Sequence, residues 1–451
     1  MMKFIDNCLY HFESVCNACF EHLSGDEALT VSLSGEAQLY LRLNQARVRQ
    51  TTTVEQGRYT LRYQTASRRL TLTFDVTGHV DRDRAIALSL LSQAREEVKV
   101  LPDDPFVVPV VDHGQSQEIH PGQLPTLTDL LAQIARESGT TDFSGLYAGG
   151  RQIRASRNSA GMRHVFATTS FCLDYSLFTR NAAGDNKAVK GQYAGHDWSP
   201  ARFAVTLAAD RQRLTLLERD SHAVTPGDYR AYFAPAAVDA MIHMFSWGGV
   251  SYSAWKKGDS ALAQLIRGDT RLSPHFSLRE NFDLGLSPRF NSLGEMAPAQ
   301  LSVIEHGALQ NLLVSSRSGQ EYGVPANGAD PGEGLRSADM ANGNLSDSAI
   351  LSTLGTGLFI GNLHYLNWSD HHSARITGMT RYACFWVEQG EIVAPIQDLR
   401  FDESLYRLFG TELEAVTDAT ETRMATDTYG QRAVGGSRVP GMLVGNVRFT
   451  L

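Results

Sequence analysis

Apolar residues recur with a helical period at the start of the chain and alternate with polar residues after it. A helix over residues 3–23 is predicted by five apolar positions that share one face: Phe4, Cys8, Leu9, Phe12 and Val15. The alternation from residue 28 to residue 76 is typical of an antiparallel meander with one solvent-exposed face. The tripeptide SGE at residues 34–36 predicts a turn that divides the first run into two strands.

Two amphipathic helices are predicted after the meander, over residues 81–98 and 126–137. The first opens with acidic residues, which favour a helix N-terminus, and the second has Thr126 as a cap with Asp129 three positions on. Two more alternating runs follow and are joined at residues 159–161. Residues 1–222 are therefore predicted to form an α+β domain with a largely antiparallel sheet.

A further helix is predicted over residues 234–249, with the sequence APAAVDAMIHMFSWGG. Pro235 suits the first helical turn, and two glycines close the segment. One face is apolar at the spacing of a buried helix: Val238, Met241, Ile242 and Phe245. His243 and Trp247 lie four residues apart on the opposite face, so a single polar, potentially functional group projects from an apolar helix.

The C-terminal half of the chain, residues 223–451, shows little helical periodicity after residue 261. Short alternating runs dominate, and hairpin reversals are predicted at EHG (residues 305–307) and EQG (residues 388–390). We therefore expect a β-rich sandwich or barrel-like domain whose boundary with the first domain lies near residue 222. The glycine-rich polar segment 323–346 is predicted to be an irregular loop, either functional or mobile.

Composition and charge exclude several classes of function. The chain of 451 residues is 42% hydrophobic and 20% charged, which is ordinary for a soluble globular protein. The net charge of -8, without clustered Lys and Arg, argues against a nucleic-acid-binding surface. Neither a signal peptide nor an apolar run of about 18 residues is present, so we expect a cytoplasmic protein without a membrane contact.

The five cysteines are odd in number and scattered, which favours a reducing compartment. Cys16 and Cys19 form a C-x-x-C pair, but no second ligand pair follows, so structural thiols are favoured over a zinc knuckle. Motifs for phosphate, dinucleotide and serine-hydrolase sites are absent from the sequence.

One local cluster has metal-ligand side chains: His364, Asp370, His371 and His372. Adjacent residues on a strand point to opposite faces, so His371 and His372 could share a metal only within a turn, and a solvated polar turn is the favoured interpretation. Tyr252, Trp247 and Trp255 form an aromatic cluster. It is interpreted as part of a core or interface, with a peptide-stacking platform as the alternative.

Residues 355–396 carry a resemblance to a known family. The run GTGLFIGNLHYLNWSDHHSARITGMTRYACFWVEQGEIVAPI resembles the signature region of the TldD/TldE (PmbA) metallopeptidase family. The matching positions are Gly357, Leu358, Phe385, Trp386, Val387, Glu388, Gly390, Glu391, Ile392 and Pro395. Further similar segments occur in the family's order, so the resemblance covers nearly the whole chain: RLNQARVRQ, NSAGMRHVFATTSFCLDYSLF and SPHFSLREN.

In that family, TldD-like subunits carry H-E-x-x-x-H on a helix. Two histidines hold zinc, the glutamate is the general base, and a later cysteine is a further ligand. The resemblance aligns His243 with the first histidine, Met244 with the glutamate and Gly248 with the second histidine. It aligns the region of the family's later cysteine with residues 426–432 (TDTYGQR), so that Tyr429 or one of its neighbours occupies the position of that cysteine. A thioether cannot accept a proton and one histidine cannot hold a catalytic zinc, so the resemblance implies a TldE-like member with no catalytic or metal-binding residue of its own.

The resemblance also implies partners. A TldE-like chain pairs with a TldD-like chain in a hollow heterodimer that hydrolyses unfolded peptides at the zinc of the TldD-like subunit, so no cofactor is expected in this chain. Candidate peptide-binding residues are Tyr252, Trp255, His364, His371 and His372. An extended peptide could add to a free strand edge of the β-rich half.

Two alternatives remain open at this stage. One is a self-sufficient hydrolase that combines His243 with His364, Asp370, His371 or His372, and the other is a homodimeric peptide-binding protein without chemistry. For His243 itself, a structural role is favoured over a catalytic one.

Overall fold

The computed structural model describes residues 2–450 and has the mixed α+β fold that the sequence predicts. It contains two β-sheets, and none of the helices in this described part is long and apolar enough to cross a membrane. The helices are α1 (Met2–Phe20), α2 (Val80–Glu97), α3 (Leu127–Ser138), α4 (Pro200–Leu216), α5 (Pro235–Met244), α6 (Tyr252–Lys257), α7 (Ala263–Arg267), α8 (Ser316–Tyr322) and α9 (Ile350–Leu354).

The first sheet has the predominantly antiparallel pairing that the alternating pattern predicts. Its strands are β1 (Ala28–Asn44), β2 (Arg47–Thr65), β3 (Arg68–Asp75), β4 (Gln115–His120), β5 (Asp142–Asn158), β6 (Arg163–Arg180) and β7 (Asn186–Gly195). Their order is β3-β2-β1-β5-β6-β4, and β7 pairs with the far end of β6. Among these pairs, β4 with β6 is parallel and the others are antiparallel.

One face of the first sheet is apolar and is covered by four helices. Val31 and Leu33 of β1 belong to a buried cluster that also contains residues of α1 and α2. Leu41 and Leu43, on the same face, belong to a second cluster that contains residues of α3 and α4. The period-2 alternation of β1 therefore supplies two separate helix-docking patches on a single face.

The opposite face of the first sheet is polar, and its centre is also buried. Five of its side chains are at most 3% exposed: Glu36, Gln38, Gln152, Thr168 and Ser170. Residues 424–436 of the C-terminal half lie against this face and bond to it, for example through Gln152 Nε2, which donates to the carbonyl of Arg432 at 2.7 Å. Buried polar groups need such partners, so this face is matched to a polar segment rather than to an apolar one.

The second sheet closes on itself within the C-terminal half. Its strands are β8 (Gly227–Phe233), β9 (Leu278–Asn281), β10 (Gln300–Glu305), β11 (Ala308–Leu309), β12 (Ser337–Met340), β13 (Gly357–Asp370), β14 (Arg375–Glu388), β15 (Glu391–Pro395), β16 (Arg400–Ser404), β17 (Leu413–Met424) and β18 (Gly436–Phe449). Strand β8 pairs with both β13 and β18, and the path β18-β16-β14-β13 joins these two neighbours. The five strands β8, β13, β14, β16 and β18 thus form a closed ring, which agrees with the predicted barrel-like architecture.

The turn predicted at residues 34–36 is wrong, because β1 continues through it. Gly35 is paired on both sides, opposite Gly57 of β2 and opposite Ile153 of β5. A central strand uses the backbone groups of both edges, and this pairing outweighs the local turn preference of a Ser-Gly pair. The turns predicted at 159–161, 305–307 and 388–390 are confirmed.

Helix α4 was not predicted by the hydrophobic pattern, whereas α2 and α3 were. A local signal for α4 does exist, since Ser199 caps it by accepting from the backbone of Arg202 and Pro200 follows the cap.

The segment 323–346 is not irregular throughout, because Ser337–Met340 forms the fully buried strand β12 between β9 and β18. The domain boundary near residue 222 stays a prediction. Residues from both halves share one buried cluster.

Candidate functional site

Helix α5 is shorter than the sequence predicts, and its end shapes the candidate site. It begins at Pro235, as expected, but ends at Met244 instead of Gly249. The predicted apolar face is confirmed, because all four of its residues are buried in the C-terminal core: Val238, Met241, Ile242 and Phe245. Ala234 is tied to β13 by its backbone N–H, which donates to the carbonyl of Ile360 at 2.9 Å.

Residues 245–249 form a single π-type turn rather than a further turn of α-helix. The N–H of Val250 donates to the carbonyl of Phe245 at 3.1 Å, five residues earlier. Trp247 leaves helical geometry with ψ 61°, and Gly248 adopts a left-handed conformation with φ 80°. Glycine adopts this conformation without strain, so the early end of the helix is encoded at Gly248.

The three positions aligned with the family's zinc motif point in different directions. The His243 side chain is 66% exposed, whereas Met244 is 2% exposed and belongs to the apolar core. Gly248 has no side chain, and a Cβ there would lie 3.4 Å from that of Ala254. These three positions therefore offer one exposed imidazole, one buried thioether and no third side chain.

His243 contacts a carboxylate instead. Its Nε2 lies 3.4 Å from Oδ1 of Asp239, one helical turn earlier. The same carboxylate accepts a hydrogen bond from the buried hydroxyl of Ser437 at 2.5 Å, and its Oδ2 lies 3.5 Å from Nε of Arg423. Asp239 is thus the centre of the network, and His243 is its solvent-facing member.

The two partners shift each other's pKa in opposite directions. Contact with the Asp239 carboxylate raises the pKa of His243 above its ordinary value, against the opposing effect of desolvation. Burial raises the pKa of Asp239, but the contact with His243 and the charges of His243 and Arg423 outweigh burial, so this pKa lies below its ordinary value. The network therefore favours a charged His243 beside a charged Asp239.

The segment aligned with the family's late cysteine lies next to this network. Arg423 and Ser437, which flank it in the sequence, both contact Asp239. Within the segment, Tyr429 is 97% exposed, while Arg432 is buried against the first sheet. The two strands that flank this segment, β17 and β18, thus both contact helix α5 through Asp239.

Of the three aromatic residues that the sequence groups together, Tyr252 and Trp255 are in ring contact beyond the turn. Trp247 is 56% exposed and makes no ring contact with either of them. The ring centroids of Tyr252 and Trp255 lie 5.4 Å apart in an edge-to-face arrangement, and Tyr322 lies 5.9 Å from Tyr252. The ammonium of Lys256 lies 4.4 Å from the Trp255 ring centroid, a cation–π distance. This half-buried cluster has the aromatic surface and charge that a peptide platform would use.

The other candidate histidines do not join His243. His364 lies on β13 with its ring 4.3 Å from that of Tyr365, and desolvation and the charge of Arg381 lower its pKa. His371 and His372 are exposed in the turn between β13 and β14, where Nδ1 of His371 lies 3.0 Å from the carbonyl of Asp259. Asp370 accepts a hydrogen bond from the backbone of His372.

The residues at the aligned positions do not fit a zinc ion. Over residues 2–450, no group of three or more His, Cys, Asp or Glu side chains is arranged to hold a metal. At the α5 site, His243 and Asp239 offer two ligand side chains, while Met244 faces the core and Gly248 offers none. A zinc site requires at least three protein ligands, so no catalytic step through zinc is assigned to this chain.

Sequence reasoning missed Asp239, Arg423 and Ser437. Asp239 could have been found, since it lies four residues before His243 on the same helix, at the spacing of an ion pair. Arg423 and Ser437 carry no such local signal, because β17 and β18 bring them to the helix from far along the sequence.

Residues 226–451, half of the chain, match the family model described as the PmbA/TldA metallopeptidase C-terminal domain. No curated protein matches the sequence.

Three solved structures are similar to this chain over almost its whole length. TldE from Thermococcus kodakarensis has a TM-score of 0.80 at 14% identity, over 98% of this chain and 100% of that chain. A protein from Thermotoga maritima, described as a candidate modulator of a DNA gyrase, has a TM-score of 0.76 at 16% identity, over 97% of this chain and 100% of its own. A candidate modulator of DNA gyrase from Bacteroides thetaiotaomicron has a TM-score of 0.76 at 12% identity, over 98% of both chains. At these identities the likeness shows a shared fold.

Proposed function

Because this chain belongs to the family of the PmbA/TldA metallopeptidase C-terminal domain, we propose that it is a TldE-like subunit of a two-subunit zinc peptidase. In this proposal the zinc is held by a TldD-like partner, and the complex cleaves unfolded or extended peptides. The chain itself binds no zinc and supplies no general base. Its contribution is to complete the chamber in which the peptide is held.

The backbone at the end of α5 is the observation that carries the proposal. A histidine at position 248 would have to adopt φ 80°, which is strained for any residue with a Cβ. A glutamate at position 244 would replace a side chain that is 2% exposed and would bury a carboxylate in the apolar core. The conformation and the residue types at these two positions both support a chain without a zinc site of its own.

The fold likeness to TldE from Thermococcus kodakarensis supports the subunit assignment, since it extends over 98% of this chain. The aromatic cluster of Tyr252 and Trp255 supports a peptide-binding role, because aromatic faces bind extended chains without demanding a sequence. We assign the complex to the cytoplasm. All five cysteines are free thiols, which suits a reducing compartment.

The test compares the purified chain alone, a TldD-like chain from the same organism alone, and the two mixed. Metal content is measured by mass spectrometry, association by size-exclusion chromatography with light scattering, and activity with an unfolded fluorogenic peptide. The expected result is a heterodimer that holds zinc and cleaves peptide, and an isolated chain that does neither.

The two alternatives give different results in the same experiment. A self-sufficient hydrolase would cleave peptide without the partner, and stoichiometric zinc in the isolated chain together with cleavage would overturn the proposal. A homodimeric peptide-binding protein would bind the peptide as a dimer of this chain and would fail to associate with the TldD-like chain.

A further inference from the structure

A buried arginine between the two halves of the molecule lacks an ion-pair partner. Arg432 is 2% exposed. Its Nη1 donates to the carbonyl of Ser170 at 2.9 Å and its Nη2 to the sulfur of Met424 at 3.6 Å. Its Nε has no hydrogen-bond partner, although it too is buried. A buried guanidinium is costly unless its charge and its donors are satisfied, so this arrangement calls for a further group.

The charges around Arg432 do not balance. Glu36 is fully buried on the same polar face, but its carboxylate accepts from the Gln56 side chain at 2.6 Å and from the backbone N–H of Arg432 at 2.9 Å, not from the guanidinium. The charge of Glu36 also interacts with a second guanidinium, that of Arg154. This guanidinium donates hydrogen bonds only to backbone carbonyls. Two guanidinium groups therefore share one carboxylate, which leaves an excess positive charge.

A small cavity lies beside the unpartnered donor. Its volume is about 10 Å³, which limits an occupant to a single small ligand. Five of its lining residues are polar: Gln152, Thr168, Ser170, His196 and Arg432. The others are Gly285, Leu286, Met424, Ala433, Val434 and Gly435. The Nε2 of His196 is buried without a partner, as is the Nε of Arg432.

The hydrogen bonds of His196 use only one of its two ring nitrogens. Its Nδ1 lies 3.1 Å from the carbonyl of Thr169 and 3.4 Å from the hydroxyl of Thr168, so Nδ1 is satisfied and Nε2 is not. An anion in the cavity would neutralise the excess charge, whereas a water molecule would leave it in place.

We propose that this cavity is a binding site for one halide-sized monovalent anion, with chloride as the physiological ligand. The anion accepts from Nε of Arg432, with the hydroxyl of Thr168 as a further donor and the His196 ring in the cavity lining. It neutralises the excess charge between the polar face of the first sheet and residues 424–436. The bound anion thereby stabilises the contact between residues 424–436, which lie beside the α5 site, and the N-terminal half.

The test uses bromide as the probe. Crystals of the full chain grown in sodium bromide are expected to give an anomalous difference peak in the cavity. The thermal midpoint is expected to be higher by about 2 °C or more in sodium chloride or bromide than in sodium gluconate of equal ionic strength, because a ligand that binds only the folded state stabilises it. Density without anomalous signal, together with equal midpoints in the three salts, would identify a water molecule and overturn the proposal.

Substitutions in the cavity lining test whether the halide dependence of the thermal midpoint arises there. Thr168→Val and His196→Gln retain the bulk of the lining and are expected to reduce the halide dependence of the midpoint, and Arg432→Met to abolish it. Arg58→Met is the matched control, since the Arg58 side chain is exposed and pairs with Asp75 at the surface. Full halide dependence in a folded Arg432→Met variant would refute the site. If Arg432→Met does not fold, the bromide peak in the unmodified chain and the Thr168→Val result decide.

Discussion

The Nε2 of His243 lies 3.4 Å from Oδ1 of Asp239, and the pair forms the polar face of helix α5. The partly buried carboxylate also contacts Ser437 of β18 and Arg423 of β17, so it joins the helix to the sheet. The histidine, by contrast, projects into solvent at the end of the helix. One residue of the pair therefore has a structural role, while the other is free to interact with a partner or a peptide.

Substitution of Asp239 by asparagine is expected to lower the pKa of His243. The negative charge of Asp239 stabilises the imidazolium, and the isosteric amide lacks that charge. Two-dimensional NMR titration of the histidine ring measures the change, with the exposed His371 as an internal reference. Equal pKa values for His243 in the two proteins would contradict the assigned contact.

The contribution of His243 to stability is expected to decrease as the pH rises. Its folded-state pKa lies above the ordinary value of 6.5, so the stabilisation is complete below that value and is lost as the pH rises through the folded-state pKa. Urea unfolding of the unmodified chain and of His243→Gln is compared at about pH 5 and about pH 9. The difference in free energy of unfolding should be larger at the lower pH, and the opposite trend would show that another group dominates.

Restoring the residue types of the zinc motif is not expected to restore zinc. Met244→Glu should lower the free energy of unfolding by about 3–5 kcal/mol, because it leaves an uncompensated charge in the core. Met244→Leu, the matched control, should cost less than about 1.5 kcal/mol. Stoichiometric zinc in a folded Met244→Glu/Gly248→His variant would show that the backbone can adopt the site after all.

Replacing Phe245 is expected to lower the free energy of unfolding much more than replacing Trp247, which lies two residues later. Phe245 is fully buried, with its ring centroid 5.8 Å from that of Phe276 and 5.4 Å from that of Phe409. Phe245→Ala should cost about 3–5 kcal/mol through the cavity that it leaves. Trp247 is 56% exposed, and Trp247→Ala should change the free energy of unfolding by no more than about 0.5 kcal/mol. Chemical denaturation of both variants measures the difference.

His243→Ala is expected to leave the peptidase rate of a reconstituted complex within a few-fold of the original rate. In the proposed assembly the chemistry occurs at the partner's zinc, so the loss of this side chain removes no reacting group. The peptidase rate is measured at saturating partner, and circular dichroism controls for folding. A decrease of several orders of magnitude with unchanged folding would assign a catalytic role to His243.

The sequence predicted those parts of the fold that depend on local pattern. Alternation in β1 and β2 and the cap at Thr126 were sufficient for the meander and for α3, because both depend on neighbouring residues. The turn at residues 34–36 failed for the opposite reason. The pairing of Gly35 with β5 is set by residues more than a hundred positions away, and no local preference reports it.

The candidate site could be predicted only in part for a similar reason. His243 was found from helical spacing, and the unsuitability of Met244 followed from its chemistry. The salt bridge from Arg423 depends on how α5 docks on β17 and β18, which a single sequence does not encode locally.

The contact between the first sheet and residues 424–436 has a consequence for how the chain folds. Ser34 of β1 donates a hydrogen bond to Gln431, which the ribosome adds 397 positions later. Until then Gln152 lacks the carbonyl of Arg432 that accepts from it, and Glu36 lacks the backbone N–H of Arg432. Because such distant contacts must overcome loop-closure entropy before they stabilise anything, docking of this segment is a late step of folding.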